Sequence, residues 1–181
     1  MRIVTLIATL LLLGACETTS SRPYKASTDN ILAIQQAIGQ TNAKVQLGTF
    51  AAAQGIDTEP TCRAMGALEV APGQSPVDYI KDALQEELFN AGVYDINNGT
   101  LINAEITELN FNSFGTGSWS VGLKASSTSL PSGYQVNVEY SFKTSFSAIS
   151  ACQNVIDAFQ PTISELLNKL VTHPQFPSLA S

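Results

Sequence analysis

Charge is scarce in this chain. Asp, Glu, Lys and Arg make up 13% of its 181 residues, about half the usual share of about 25%. The basic side is the poorer: nine Lys and Arg stand against 15 Asp and Glu, leaving a net charge of -6 and a pI near 4.6. A phosphate backbone needs a basic stripe, so nucleic acid is excluded as a partner. Histidine occurs once, at His173, so a His-rich metal site or a triad of nucleophile, base and acid would have to rest on that residue alone. Long apolar runs are missing as well. The longest, Ile3 to Leu13, is 11 residues broken by Thr5 and Thr9, short of the about 20 needed to cross roughly 30 Å of hydrocarbon. Hydrophobic residues nevertheless reach 44%, which excludes disorder over the whole chain, and the length suits one compact domain with short appendages.

Met1 and Arg2 form a small positive start to that apolar run, which closes on small residues, the three-part pattern of an export signal. Its end, Leu13-Gly14-Ala15-Cys16, resembles the lipobox of bacterial lipoproteins. The resemblance implies cleavage between Ala15 and Cys16, lipidation of the Cys16 sulfur and a mature protein beginning at that cysteine. Burial of acyl chains contributes about 0.8 kcal/mol per CH₂, so two or three chains hold a water-soluble domain on a bilayer. In Gram-negative lipoproteins an Asp after the lipidated cysteine favours the inner membrane. Glu17 stands there, so the resemblance implies the periplasmic side of the outer membrane, with the periplasmic face of the inner membrane as the alternative. The competing reading of the same residues is a secretory signal whose cleavage site happens to precede a cysteine, with no lipid attached.

Residues 16–27 read as a polar, Ser/Thr-rich tether without apolar periodicity. A globular body over 28–176 follows, and 177–181 read as a tail. Within the body, Thr28 or Asp29 is a candidate N-cap for a helix carrying Ile31, Ile34 and Ile38 on one face and stopping at Gly39. Alternation predicts a strand from Val45 to about Phe50 and a second from Cys62 through Ala64, Gly66 and Leu68 to Val70. Ser75, Pro76 and Asp78 form a capping-box start to a helix whose apolar face carries Val77, Ile80, Ala83, Leu84, Leu88 and Ala91, with Gly92 as its stop. The next strand places Ile102, Ala104 and Ile106 on one face and then slips phase to Leu109 and Phe111, the mark of a bulge near Thr107. Across a turn at Asn112 to Gly117, Trp119, Val121, Leu123 and Ala125 alternate; Tyr134 to Thr144 repeat the pattern with a polar outer face. An apolar stripe from about Ile149 to Val171 predicts a long covering helix, with a kink or break near Phe159 caused by Pro161. These elements make a single α+β domain: a mainly antiparallel sheet of about five strands packed on one face by helices, a two-layer sandwich.

With Cys16 lipidated, Cys62 and Cys152 remain as an even pair in an oxidising compartment, and helix-on-sheet packing brings their elements into reach. A disulfide is one reading; two separate buried thiols are the other. Sought chemistry does not assemble. His173 follows the last helix, where a histidine serves as a favourable charge on the dipole. Adjacent Glu86 and Glu87 point to different sides of their helix and read as one solvated and one boundary residue. Gly115-Thr116-Gly117 lies in a hairpin turn instead of between a strand and a helix, which a phosphate-cradling loop requires. Asn98-Gly99-Thr100 reads as a turn. No catalytic residue, metal site or cofactor is expected. Trp119 has two readings, core residue or anchor for a partner.

The body is similar to small envelope lipoproteins of Gram-negative bacteria, including YajG-like and transport-auxiliary types. The residues behind the resemblance are the lipobox, the helix opening Ser75-Pro76 and closing Ala91-Gly92-Val93-Tyr94, and His173-Pro174 after the last helix. It implies a non-catalytic accessory or binding module of an envelope assembly or transport system, held to the membrane by its lipid and with an envelope protein as partner. A periplasmic carrier of an apolar ligand and an enzyme with an unfamiliar site are the rival readings. A sizeable cavity between sheet and helices would favour the carrier, whereas a filled core and an exposed apolar groove would favour protein contact.

Overall fold

The protein was described from a computed structural model, which covers residues 23–181. The expected export signal, Ala15, Cys16 and the expected tether as far as residue 22 lie outside the described residues.

Four strands form one sheet in the order β1-β2-β3-β4: β1 (Val45–Ala52), β2 (Thr100–Asn112), β3 (Thr116–Ser127) and β4 (Tyr134–Lys143). The β2-β3 and β3-β4 pairs are antiparallel hairpin neighbours, whereas β1 runs parallel to β2. A parallel pair needs a crossover, and α2 (Pro76–Asn90) supplies it. The helix begins as its sequence requires: the Ser75 hydroxyl accepts from the Asp78 amide at 3.1 Å and donates to the Asp78 carboxylate at 2.7 Å. It ends in a Schellman motif, in which Val93 donates to the Leu88 carbonyl and Gly92 to that of Phe89. Gly92 takes a φ of 76° there, open to glycine without a Cβ penalty.

The expected bulge is present. The β2-β3 register shifts between Ile106 and Glu108, leaving Thr107 as the extra residue. Gly122 faces it, where a Cβ would lie 2.5 Å from the Thr107 hydroxyl oxygen. The shift lets Ile106 and Leu109, three residues apart, share the buried face.

α1 (Thr28–Ile34) runs on through a π-helical turn at Gln35–Gly39, α3 spans Ala148–Val171, and α4 (Phe176–Leu179) closes the chain. The buried face of the sheet meets α3 through Trp119, Val121 and Leu123 on one side and Val155, Phe159, Ile163, Leu166 and Leu167 on the other, all at most 1% exposed. Full burial of one such side chain contributes about 1.5–3 kcal/mol.

Three expectations are corrected. The sheet has four strands, not about five, because the stretch from Cys62 to Val70 is not a strand. Arg63, Ala64 and Gly66 all have positive φ, the Met65 amide returns to the Cys62 carbonyl at 2.8 Å, and only Thr61 and Ala67 bridge. The small residues at Ala64 and Gly66 mimicked a buried face, but both are exposed. Second, of the kink or break expected near Phe159 the break is absent: α3 is continuous through Pro161. One lost amide is a small deficit against an apolar stripe packed on both sides of the proline, and the Thr162 hydroxyl donates to the Ala158 carbonyl at 2.6 Å in the same turn. Third, the expected tail, 177–181, is built into the body, with Leu179 and Ala180 buried.

Candidate functional site

Cys62 and Cys152 are joined by a disulfide with a Cα–Cα distance of 5.8 Å. It staples the loop preceding α2 to the first turns of α3. Trp119 is core: fully buried, it packs against Phe111 and Phe159 with ring centroids 5.2 and 4.9 Å away, and its indole donates to the Val155 carbonyl at 2.8 Å. It has no surface to offer a partner, and the anchor reading falls. His173 stacks on the Tyr134 ring at 4.1 Å, and its Nδ1 accepts from the Gln175 amide at 3.2 Å. That places it in a packing and turn role at the end of α3.

Glu87 departs from the boundary position expected of it. Glu86 is exposed, but Glu87 is fully buried between α2, α1 and α3. One carboxylate oxygen, Oε1, accepts from the Tyr24 hydroxyl at 2.5 Å, the Ser27 amide at 2.9 Å and Asn30 Nδ2 at 3.1 Å. The other, Oε2, is buried without a hydrogen-bond partner among the described residues. Asn30 extends the network to α3, donating to the Ser164 carbonyl and accepting from Asn168. Burial, and then the Glu87 carboxylate, push the Tyr24 phenol well above its ordinary pKa. Tyr24 also meets Tyr79 edge-on at 6.2 Å. The last part of the expected tether is therefore bound to the body, not free of it.

A second assembly lies where β2 ends, β4 ends and α3 begins. Arg63, set at φ 45°, sends its guanidinium into two loops. It donates to the Ser113 hydroxyl at 3.1 Å and the Ser113 carbonyl in one loop, and to the carbonyls of Ser145 at 3.0 Å and Phe146 at 3.2 Å in the other. The Phe114 ring lies under the guanidinium carbon at 4.2 Å. Around this clamp four large apolar side chains face solvent: Met65 (50% exposed), Phe114 (65%), Phe146 (105%) and Ile149 (64%). Beside the disulfide runs a groove of about 260 Å³ whose apolar lining includes Met65, Leu68, Ile149 and Ile156. Sequence reasoning missed this surface because periodicity describes faces of regular elements, whereas Met65, Phe114 and Phe146 sit in turns and Ile149 lies in the first turn of α3, off its buried face. The available signal was a phenylalanine within a Ser/Gly turn, Ser113-Phe114-Gly115 and Ser145-Phe146-Ser147, where no core face exists to receive it.

Among the described residues no group of three or more His, Cys, Asp or Glu side chains is placed to hold a metal ion, and no helix is long and apolar enough to cross a membrane.

No family model matches the chain, and no curated protein matches it. Among solved structures it is similar to protein XCC0632 from Xanthomonas campestris, of the DUF330 family. The two are 12% identical over 71% of this chain and 84% of that one, with a TM-score of 0.49.

Proposed function

We propose that this protein is a lipid-anchored envelope lipoprotein facing the periplasm, a non-catalytic accessory or binding module of an envelope assembly or transport system, similar to the YajG-like and transport-auxiliary lipoproteins. The observation that carries the reading is the run from Met1 to Cys16: a short basic start, an apolar core too brief to span, and Leu13-Gly14-Ala15-Cys16. Glu17 favours the outer membrane. Support for binding over carriage comes from the space between sheet and helices, which Trp119, Phe159 and their neighbours fill, while the exposed apolar surface gathers at the Arg63 end of the domain.

Replacing Cys16 with Ala tests the anchor. The wild-type chain is expected to sediment with membranes and to carry acyl mass on its amino-terminal cysteine, and the variant to be released by osmotic shock. An unmodified amino terminus, or unchanged fractionation of the variant, refutes the reading. Crosslinking in intact cells tests the module: a stoichiometric envelope protein is expected, and hydrolytic turnover abolished in His173→Ala would refute it in favour of an enzyme.

A further inference from the structure

We infer that the Arg63 end of the domain is a lipid-contacting surface, seated on the bilayer that holds the anchor; the inference rests on the anchored reading above. The first observation is the course of the chain at its described start. Tyr24 reaches Tyr79 and Glu87, Ala26 and Ser27 lie at Glu86 and Glu87, and Gln35 donates to the Ala91 carbonyl. The segment therefore runs parallel to α2, from its first turns toward its end. It also runs parallel to α3: Asn30 bonds Ser164 and Asn168, while Ala33 and Ala37 lie beside Val171 and His173. The described segment thus starts on the side of the molecule where α2 and α3 begin.

That end carries Met65, Phe114, Phe146 and Ile149. They are linked into one surface: Met65 and Ile149 share a groove, Arg63 bonds the Phe146 carbonyl, and the guanidinium covers Phe114. The second observation is length. Tyr24 bonds Glu87, and the start of α2 at Pro76 is about 11 helical residues from Glu87, or roughly 16 Å. The seven residues from Cys16 to residue 22 reach at most about 25 Å when extended and about 15 Å as a flexible chain. A lipid on Cys16 thus holds this end of the body at the headgroups without stretching the tether.

The chemistry of the surface suits that occupant. Phenylalanine, isoleucine and methionine at loop tips bury into the boundary between headgroups and acyl chains, while an arginine beside them keeps its charge at headgroup level. Asp57, Glu59 and Glu69 on the same long loop outnumber Arg63 and Lys143, so the contact is apolar and does not depend on anionic lipid. Two of the loops are fixed by Arg63, so little ordering is required on docking. Phe89 in the last turn of α2 and Ile96 just beyond it, 70% and 67% exposed, lie at the opposite end and are left facing away from the membrane.

The test uses the full lipidated protein in proteoliposomes of phosphatidylethanolamine and phosphatidylglycerol, with and without bromine on the acyl chains. Phe146→Trp and Phe89→Trp are compared, with buried Trp119 as a constant background in both. The added emission of the tryptophan at 146 is expected to fall at least twofold in brominated vesicles, that at 89 to stay within a tenth, and neither to change when phosphatidylglycerol is omitted. Equal quenching at both positions, or none at 146, overturns the inference. No quenching at 146 together with a protein adduct to a photoreactive phenylalanine analogue at that position assigns the surface to a protein partner and likewise overturns it. Mass analysis of Cys16 in the same vesicles separates this failure from failure of the anchor.

Discussion

Tyr24 donates its hydroxyl to Glu87 across 2.5 Å, tying a residue from the polar amino-terminal stretch to the buried side of α2. The carboxylate oxygen that receives it also takes the Ser27 amide and Asn30, so a single acceptor organises the whole approach of the chain to the body. Hydrogen bonds to a charged group are worth about 1.5–3 kcal/mol. Tyr24→Phe is expected to lower unfolding stability by about that amount, and to speed tryptic cleavage at Lys25, which sits inside the bound segment. Glu87→Ala is expected to cost more, because three donors lose their acceptor at once. Urea denaturation and timed proteolysis check both. A Tyr24→Phe variant with wild-type cleavage kinetics would show that the hydroxyl does not hold the segment.

Three tyrosines make the protein sensitive to alkali. Burial pushes the phenols of Tyr79 and Tyr134 above their ordinary pKa of 10.0, and Tyr24 is raised by burial and by Glu87. Below the unfolded pKa both states keep the proton and the stabilising contribution is complete. Above it the unfolded chain loses the proton first, so stability falls as pH rises, by about 1.4 kcal/mol per pH unit for each such tyrosine. The urea midpoint is expected to drop steeply above about pH 10, with tyrosinate absorbance from these residues appearing in step with loss of far-ultraviolet ellipticity. Reversible ionisation of all five tyrosines in the folded protein would contradict it.

The parts of this fold legible in the sequence are those governed by local rules. The Ser75-Pro76-Asp78 start, the Gly92 stop, the phase slip at Thr107 and the alternation of Tyr134, Val136 and Val138 each follow from one period or one cap, and each is found. The Cys62 to Val70 stretch failed because its alternation rested on Ala64 and Gly66, residues too small to say which side of a backbone is buried. The break at Pro161 is absent for the opposite reason, since packing along α3 outweighs one missing amide. The buried Glu87 was illegible: helical periodicity assigns positions to faces, and a carboxylate enters a core only when donors from a distant segment, here Tyr24, Ser27 and Asn30, are there to meet it. Arg63 is similar, since its partners are loop carbonyls 50 and 82 residues away.

The disulfide closes a separation of 90 residues, and in chain-entropy terms such a loop stabilises by about 4–5 kcal/mol. Because Cys62 and Cys152 are at most 8% exposed, reductant reaches the bond mainly through local opening. The double variant Cys62→Ala, Cys152→Ala is therefore expected to lose several degrees of Tm, and the native disulfide to resist dithiothreitol until urea approaches the unfolding midpoint. Immediate reduction in buffer, with no change in Tm, would argue that the two cysteines are not bridged in the folded protein.

Arg63 offers the sharpest separation of geometry from charge. Its planar fork reaches acceptors in two loops at once, Ser113 on one side and Ser145 and Phe146 on the other, while its face covers Phe114. A lysine preserves the charge but presents a point donor that cannot serve both loops. Arg63→Lys is therefore expected to behave much like Arg63→Ala. Each loses about 1.5–3 kcal/mol, the range for bonds from a charged donor, and amide exchange is expected to accelerate across 144–147 and 113–115 while the Trp119 and Val155 core stays protected. If lysine restores wild-type exchange in both loops, the residue acts through its charge and the clamp described here is not what orders them. If exchange accelerates instead across the whole sheet, Arg63 supports the global fold, and the apolar surface it borders is not separately held.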